Sequence, residues 1–311
     1  MRYRNLVLFL VLATVWGSAF MAIKAGLEYF PPVLFAAFRY DIAGVLMLGY
    51  AFYALDDPIP RTRGEWSLVL VGAVFLIAVY HSLLFIGEES ETVTSASAAI
   101  IVSLSPVLTT AIARVILPSD RLKPAGIAGL LLGLLGVGVL SQPDPSNLLS
   151  ANVVASLIIF AAALSFAFGS VLTRRIDATL PIESLEAWSM IGGALLMHAI
   201  SLTLGESVGN IHLTIEAIAA LGYLSVFSSA VGFLIYFDLL ERLGPIEINL
   251  VSYVAPISAA LAGFLFLGEG ITPAMVGGFL IILVGFVLIK YGAIRQEVNS
   301  FRTEAVTQSD D

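Results

Sequence analysis

Ser103-Leu104-Ser105-Pro106 and, about 150 residues further on, Tyr253-Val254-Ala255-Pro256 occupy the same place in two apolar stretches, and reading them together decides the fold. The match continues downstream. After one residue of slippage Asp120-Arg121-Leu122-Lys123-Pro124 aligns with Glu269-Gly270-Ile271-Thr272-Pro273. Gly129 then matches Gly278, Gly136 matches Gly285, and upstream Gly17-Ser18 pairs loosely with Gly169-Ser170. The chain is therefore a doubled unit. Apolar stretches fall at roughly 6–25, 32–53, 66–86, 94–116, 124–141, 152–172, 183–204, 217–238, 246–267 and 273–291, five to each unit. Most have about the 20 apolar residues a membrane crossing needs; 124–141 is short and suits little tilt. Five is odd, so the two units enter the bilayer from opposite sides. The expected fold is all-α and integral to the membrane, with ten transmembrane helices in two inverted five-helix repeats.

Composition agrees. Of 311 residues, 59 % are hydrophobic and only 12 % charged, about half the usual charged share of a soluble domain. That excludes a soluble globular enzyme, and the same hydrophobicity excludes disorder. There is no cysteine, hence no disulfide, thiolate metal site or cysteine nucleophile. A net charge of −8 argues against nucleic acid as a partner. Pro31-Pro32, Pro58 with Pro60, Pro118, Pro143 with Pro145, Pro181, Gly244-Pro245 and Gly268–Gly270 separate the stretches. The units are read as residues 1–145 and 146–295, with 296–311 a disordered cytoplasmic tail.

Lysine and arginine in short loops set orientation. With a cytoplasmic N-terminus, thirteen of the 15 fall on inner segments, Lys24 alone falls outside, and Arg39 lies within a span. Both termini are expected in the cytoplasm and the protein in the plasma membrane, multi-pass. The net negative charge then lies almost wholly on the outer face. The first span follows Arg2 and Arg4 but runs on past Gly17-Ser18-Ala19 to Ala25, which is longer than a secretory signal.

The motifs resemble those of EamA-type members of the drug/metabolite transporter superfamily. They are Trp16-Gly17-Ser18-Ala19-Phe20, Phe38-Arg39-Tyr40, the aligned Pro106 and Pro256, and Gly268-Glu269-Gly270-Ile271-Thr272 before a glycine-rich last span. The resemblance covers about residues 6–291. It implies a ten-helix fold that moves small metabolites, often outward. Glu88-Glu89-Ser90-Glu91 departs from the pattern by its charge, and Pro118-Ser119-Asp120 is a degenerate copy of the Gly-Glu motif.

Proline inside a span frees a carbonyl that must find a partner or face a cavity. Pro106 shares a helical face with Ser103, Ala99 and Thr110, and Pro256 with Tyr253, Asn249 and Ala260. These faces either line a central cavity, with Asn249 and Tyr253 the leading candidates, or satisfy their own kinks. Arg39 is the most costly residue in the chain: a charge at depth binds a solute carboxylate or phosphate, snorkels, or pairs with Asp41 or an acid of Glu88–Glu91. Glu186 poses a similar question near the inner interface. Tyr80 and His81 adjoin inside the third span, where the imidazole takes up a proton or simply bonds a neighbouring helix. Trp16 and Tyr236 head the aromatics suited to an apolar pocket. Gly129, Gly133, Gly136, Gly278 and Gly285 read as close helix packing.

The expected function is secondary transport of amino-acid-like or amphipathic solutes, as export, by alternating access between the repeats. A proton-coupled uptake carrier and an integral-membrane lipid-modifying enzyme are the alternatives. No G-x-x-x-x-G-K-[ST] loop, metal-ligand spacing or catalytic triad occurs, so the chain is not read as an enzyme and no metal or cofactor is expected. Its partners are a small solute and the lipid bilayer, as a monomer or homodimer.

Overall fold

The computed structural model describes residues 2–116, 124–142, 147, 150–244, 248 and 250–288. Among them there are helices and connecting turns but no strand. Seven helices are long and apolar enough to cross a membrane: α1 Tyr3–Gly26, α2 Pro32–Ala54, α3 Arg63–Glu89, α4 Ser95–Ile116, α6 Ala151–Arg175, α7 Ile182–Thr203 and α8 Ile215–Leu243. Three apolar helices are shorter: α5 Ile127–Ser141, α9 Val251–Leu267 and α10 Pro273–Leu288. All ten lie within or close to the apolar stretches expected from sequence. The expected tail 296–311 and Asn249 lie outside the described residues.

The boundaries follow from local chemistry. Pro32 opens α2, where its missing N–H is no loss. Thr62 and Glu65 form a capping box at α3, and the Thr94 and Thr214 hydroxyls cap α4 and α8. Gly244 and Gly268 end α8 and α9 at φ values of 85° and 67°, which a residue with a Cβ seldom adopts. Pro106 breaks α4: a turn at Ser103-Leu104 divides it, and Pro106 sits in the first turn beyond.

Three stretches take the wider π-helical winding: Gly72–Val79 in α3, Tyr223–Val231 in α8 and Gly263–Leu267 at the end of α9. The first two lie about 150 residues apart, the spacing of the sequence repeat.

The packing repeats too. α1 lies against α8 and α9, while α6 lies against α3 and α4; α2 and α7 pack on each other. Gly17 makes the α1–α9 approach possible, since a Cβ there would meet the Ala255 carbonyl and Ser258. The expected glycine contact is present between α5 and α10. A Cβ on Gly136 would lie 2.9 Å from the Gly278 carbonyl oxygen, and one on Gly285 would lie 2.6 Å from that of Gly129. The core between helices holds Phe35, Tyr40, Met47, Phe85, Ile159, Met190 and Leu224. Val45, Leu131, Leu195 and Leu261 point outward, an apolar exterior suited to lipid.

Candidate functional site

A cluster of interior polar groups lies where α1 and α2 meet α8, and α3 joins it through α2. Arg39 on α2 is buried, and an arginine cannot shed its charge. It neither snorkels nor meets a carboxylate, contrary to two of the expectations above. Its Nε donates to Ser229 Oγ at 3.0 Å and its Nη2 donates to Ser228 Oγ at 3.2 Å. Both serines belong to the π-helical stretch of α8 and are fully buried. Among the described residues no Asp or Glu lies within ion-pair distance of it. A guanidinium has five N–H donors, so a planar anionic group has donors left to meet.

Ser228 is also the link to Trp16. The Trp16 indole Nε1 donates to the Ser228 carbonyl at 3.1 Å, and its ring lies 5.7 Å from Phe233 and 5.5 Å from Tyr236. Trp16, Tyr236 and Arg39 are thus joined through one serine and its neighbours. Between the same two helices, the Ser18 hydroxyl and Tyr223 hydroxyl bond at 2.6 Å.

Tyr40 carries the network into α3. Its hydroxyl lies 2.6 Å from His81 Nε2, and His81 Nδ1 lies 2.9 Å from the Ile77 carbonyl. A carbonyl only accepts, so Nδ1 bears the hydrogen, and in the neutral imidazole Nε2 accepts from Tyr40. Both ring nitrogens are occupied by neutral partners. Tyr80 stacks edge-on to His81 at 4.4 Å and meets Phe166 at 5.4 Å.

The remaining candidates stand apart. The Ser103 hydroxyl donates to the Ile100 carbonyl at 2.6 Å, and Thr110 donates to that of Pro106 at 2.8 Å, so the hydroxyls around the α4 break serve their own helix. Tyr253 packs its ring on Phe286 at 4.2 Å, and its buried hydroxyl has no hydrogen-bond partner among the described residues. Pro256 lines an apolar groove with Ala96, Ile100, Met275 and Phe279. Asp41, two residues from Arg39, turns to another face and bonds His198 Nε2 at 2.7 Å. Glu186 is half-buried and makes no hydrogen bond or ion pair among the described residues. Sequence reading missed Ser228 and Ser229. The available signal was Ser225, Ser228 and Ser229 at helical spacing in an otherwise apolar span.

One end of the bundle is tied by acids. Glu206 accepts from the Val33 and Leu34 amides at 3.0 and 2.8 Å, capping α2. Glu269 accepts from the Ser95 amide and hydroxyl, capping α4. Lys24 donates to the Glu88 and Ser90 carbonyls at 2.9 and 2.6 Å. Carboxylates suit the partial positive charge of helix N-termini. At the opposite end the Pro58 carbonyl accepts from Ser184 and from Trp188 Nε1, the latter at 2.9 Å, and Arg4 reaches Asp238 at 3.6 Å.

Known proteins with the same layout are transporters by name. The uncharacterized inner membrane transporter YedA of Escherichia coli strain K12 is 29 % identical over 298 residues, 94 % of each chain. The uncharacterized transporter YvbV of Bacillus subtilis is 28 % identical over 92 % of each. A solved crystal structure superposes with a TM-score of 0.65 over 96 % of this chain and all of the other, at 22 % identity, which shows a shared fold. The profile of the EamA-like transporter family matches residues 4–142 and again residues 153–291. The doubled match spans nearly the whole chain, and the protein, a multi-pass membrane transporter, belongs to the EamA-like transporter family.

Proposed function

We propose that the protein is a secondary transporter with ten transmembrane helices in two inverted five-helix repeats, 1–145 and 146–295, and that it exports amino-acid-like or amphipathic solutes by alternating access. The termini are cytoplasmic and the acidic end of the bundle faces outward. The exchanged packing supports the two-fold reading: α1 meets α8 and α9 as α6 meets α3 and α4. So does the recurrence of π-helical winding in α3 and α8.

One observation carries the solute class. Arg39 is a permanent charge held inside the span region by two serine hydroxyls and the Tyr40 ring, with no carboxylate partner among the described residues, on the seam between the repeats. A solute carboxylate supplies the anion it lacks, in a low-dielectric site where such a contact is strong. Trp16, Phe233 and Tyr236 beside it offer an apolar wall for the rest of the solute. Glu186, also within electrostatic reach of Tyr40, offers a carboxylate for an ammonium group. Rocking the repeats would separate α2 from α8 and so make or break the Arg39–serine contacts. The His81 bonding pattern, neutral at both nitrogens, gives no support to proton coupling through that residue.

The test is flux. Protein in liposomes should exchange amino acids with aromatic or aliphatic side chains, and Arg39→Lys should lower solute affinity at least tenfold while keeping the fold. No flux of any carboxylate-bearing solute, in either orientation, would overturn the reading. The cysteine-free chain tests topology: Glu89→Cys should label from outside, and Arg61→Cys only after the membrane is opened.

A further inference from the structure

A second ionisable side chain lies buried in the spans, apart from the Arg39 cluster. Glu88, in the last turn of α3, is 1 % exposed. Among the described residues neither carboxyl oxygen has a hydrogen-bond partner. The amine that could neutralise it is at hand but otherwise engaged: Lys24 on α1 gives its hydrogens to the main-chain carbonyls of Glu88 and Ser90. No ion pair joins the two side chains. Gly87, the residue before it, packs closely on Ile159 of α6. A bare carboxylate in such surroundings pays the desolvation penalty of an unpaired buried ion, which a single proton removes.

The groups facing it narrow the choice of ligand. Lys24 comes from α1, Arg39 from α2 and Glu269 from the turn after α9, while Tyr80 and His81 lie two turns back on α3 itself. Glu89 and Glu91 on either side of Ser90 are exposed. The charged residues of α4 and α6, Arg114, Arg174 and Arg175, lie in the last turns of those helices, at the other end of the bundle. A metal ion would need several oxygen ligands. Among the described residues no three acids or histidines cluster to provide them. A proton needs a single oxygen and no room.

We propose that Glu88 is a proton-binding site linked to closure of this end of the bundle. Its carboxyl carries a proton while Lys24 is clasped to the end of α3. When the clasp opens and water enters, the O–H bond breaks, its electron pair stays on the carboxylate and the proton passes to that water. The freed Lys24 ammonium then stands opposite the new carboxylate. Use of this step to drive solute movement rests on the transporter reading above, whereas the protonation itself does not.

Infrared spectroscopy reads the proton directly and needs no solute. Full-length protein in lipid nanodiscs should show a protonated-carboxyl C=O band at neutral pH. Glu88→Gln should abolish it, Glu89→Gln should leave it, and Glu88→Asp should shift it. Superimposable wild-type and Glu88→Gln spectra across roughly pH 5 to 9 would overturn the proposal. Should the glutamine variant fail to fold, the Glu88→Asp shift carries the assignment, and an unshifted band defeats it. Liposome flux then separates the two ideas. The band without any flux leaves the proton site standing and the transporter reading fallen; flux without the band does the reverse. With both present, Glu88→Gln should keep solute exchange and lose accumulation driven by a pH gradient.

Discussion

Arg39 and Glu88 are both buried in the spans, yet the regions around them are built differently. Arg39 meets two serine hydroxyls contributed by α8. The Glu88 carboxyl accepts no hydrogen bond among the described residues. The difference follows from what each side chain can do with its charge. A guanidinium keeps its charge at any physiological pH, so the protein must provide acceptors or a solute must. A carboxyl group can be made neutral by one proton, and apolar walls then suit it. The first region is built for a permanent ion and the second for a removable one.

The widest effect is expected where the permanent ion is stripped. Replacing Ser228 and Ser229 together by Ala leaves a buried guanidinium without acceptors and should cost about 3–5 kcal/mol of stability, read as a large fall in melting temperature. An unchanged melting point would mean that Arg39 finds other partners, and the contrast with Glu88 would break. Tyr40→Phe removes the donor to His81 Nε2 and should cost about 1–3 kcal/mol. If the loss is absent, the imidazole has found another donor and its neutral, structural role needs revision. Glu269→Gln weakens the cap on α4 and should cost about 1 kcal/mol. Parity between that variant and Glu88→Gln in thermal denaturation would erase the distinction between a bonded and an unbonded acid. Arg61→Ala removes an exposed pair with Asp57 and should change stability by no more than ~0.5 kcal/mol. It sets the baseline for charges that water already serves.

Much of this was legible in the chain. The helix ends were written in Pro31-Pro32, Thr62 with Glu65, and Gly244, and the close α5–α10 contact in Gly136, Gly278 and Gly285. The cost of Arg39 was plain, but its partners lie about 190 residues away and no local pattern pairs them. Asn249, a leading cavity candidate, lies outside the described residues. The apolar stretch expected at 66–86 stops short of Glu88, the first of three acids within four residues. The helix in fact runs through Glu89, and one acid of the three takes the buried phase of His81, Leu84 and Phe85. Periodicity carried one turn further would have found it, since positions 81, 84, 85 and 88 share a face.

The π-helical winding has a consequence for insertions and deletions. Such a stretch carries one residue more than the α-helix it interrupts. Deleting one residue within Gly72–Val79 can be absorbed by rewinding to α, with everything downstream kept in phase. The same deletion in α2, ahead of Arg39, would turn the rest of that helix by about 100° and swing the guanidinium away from α8. Length variation among relatives of this chain should therefore be tolerated in α3 and α8 at the wide turns, and refused in α2.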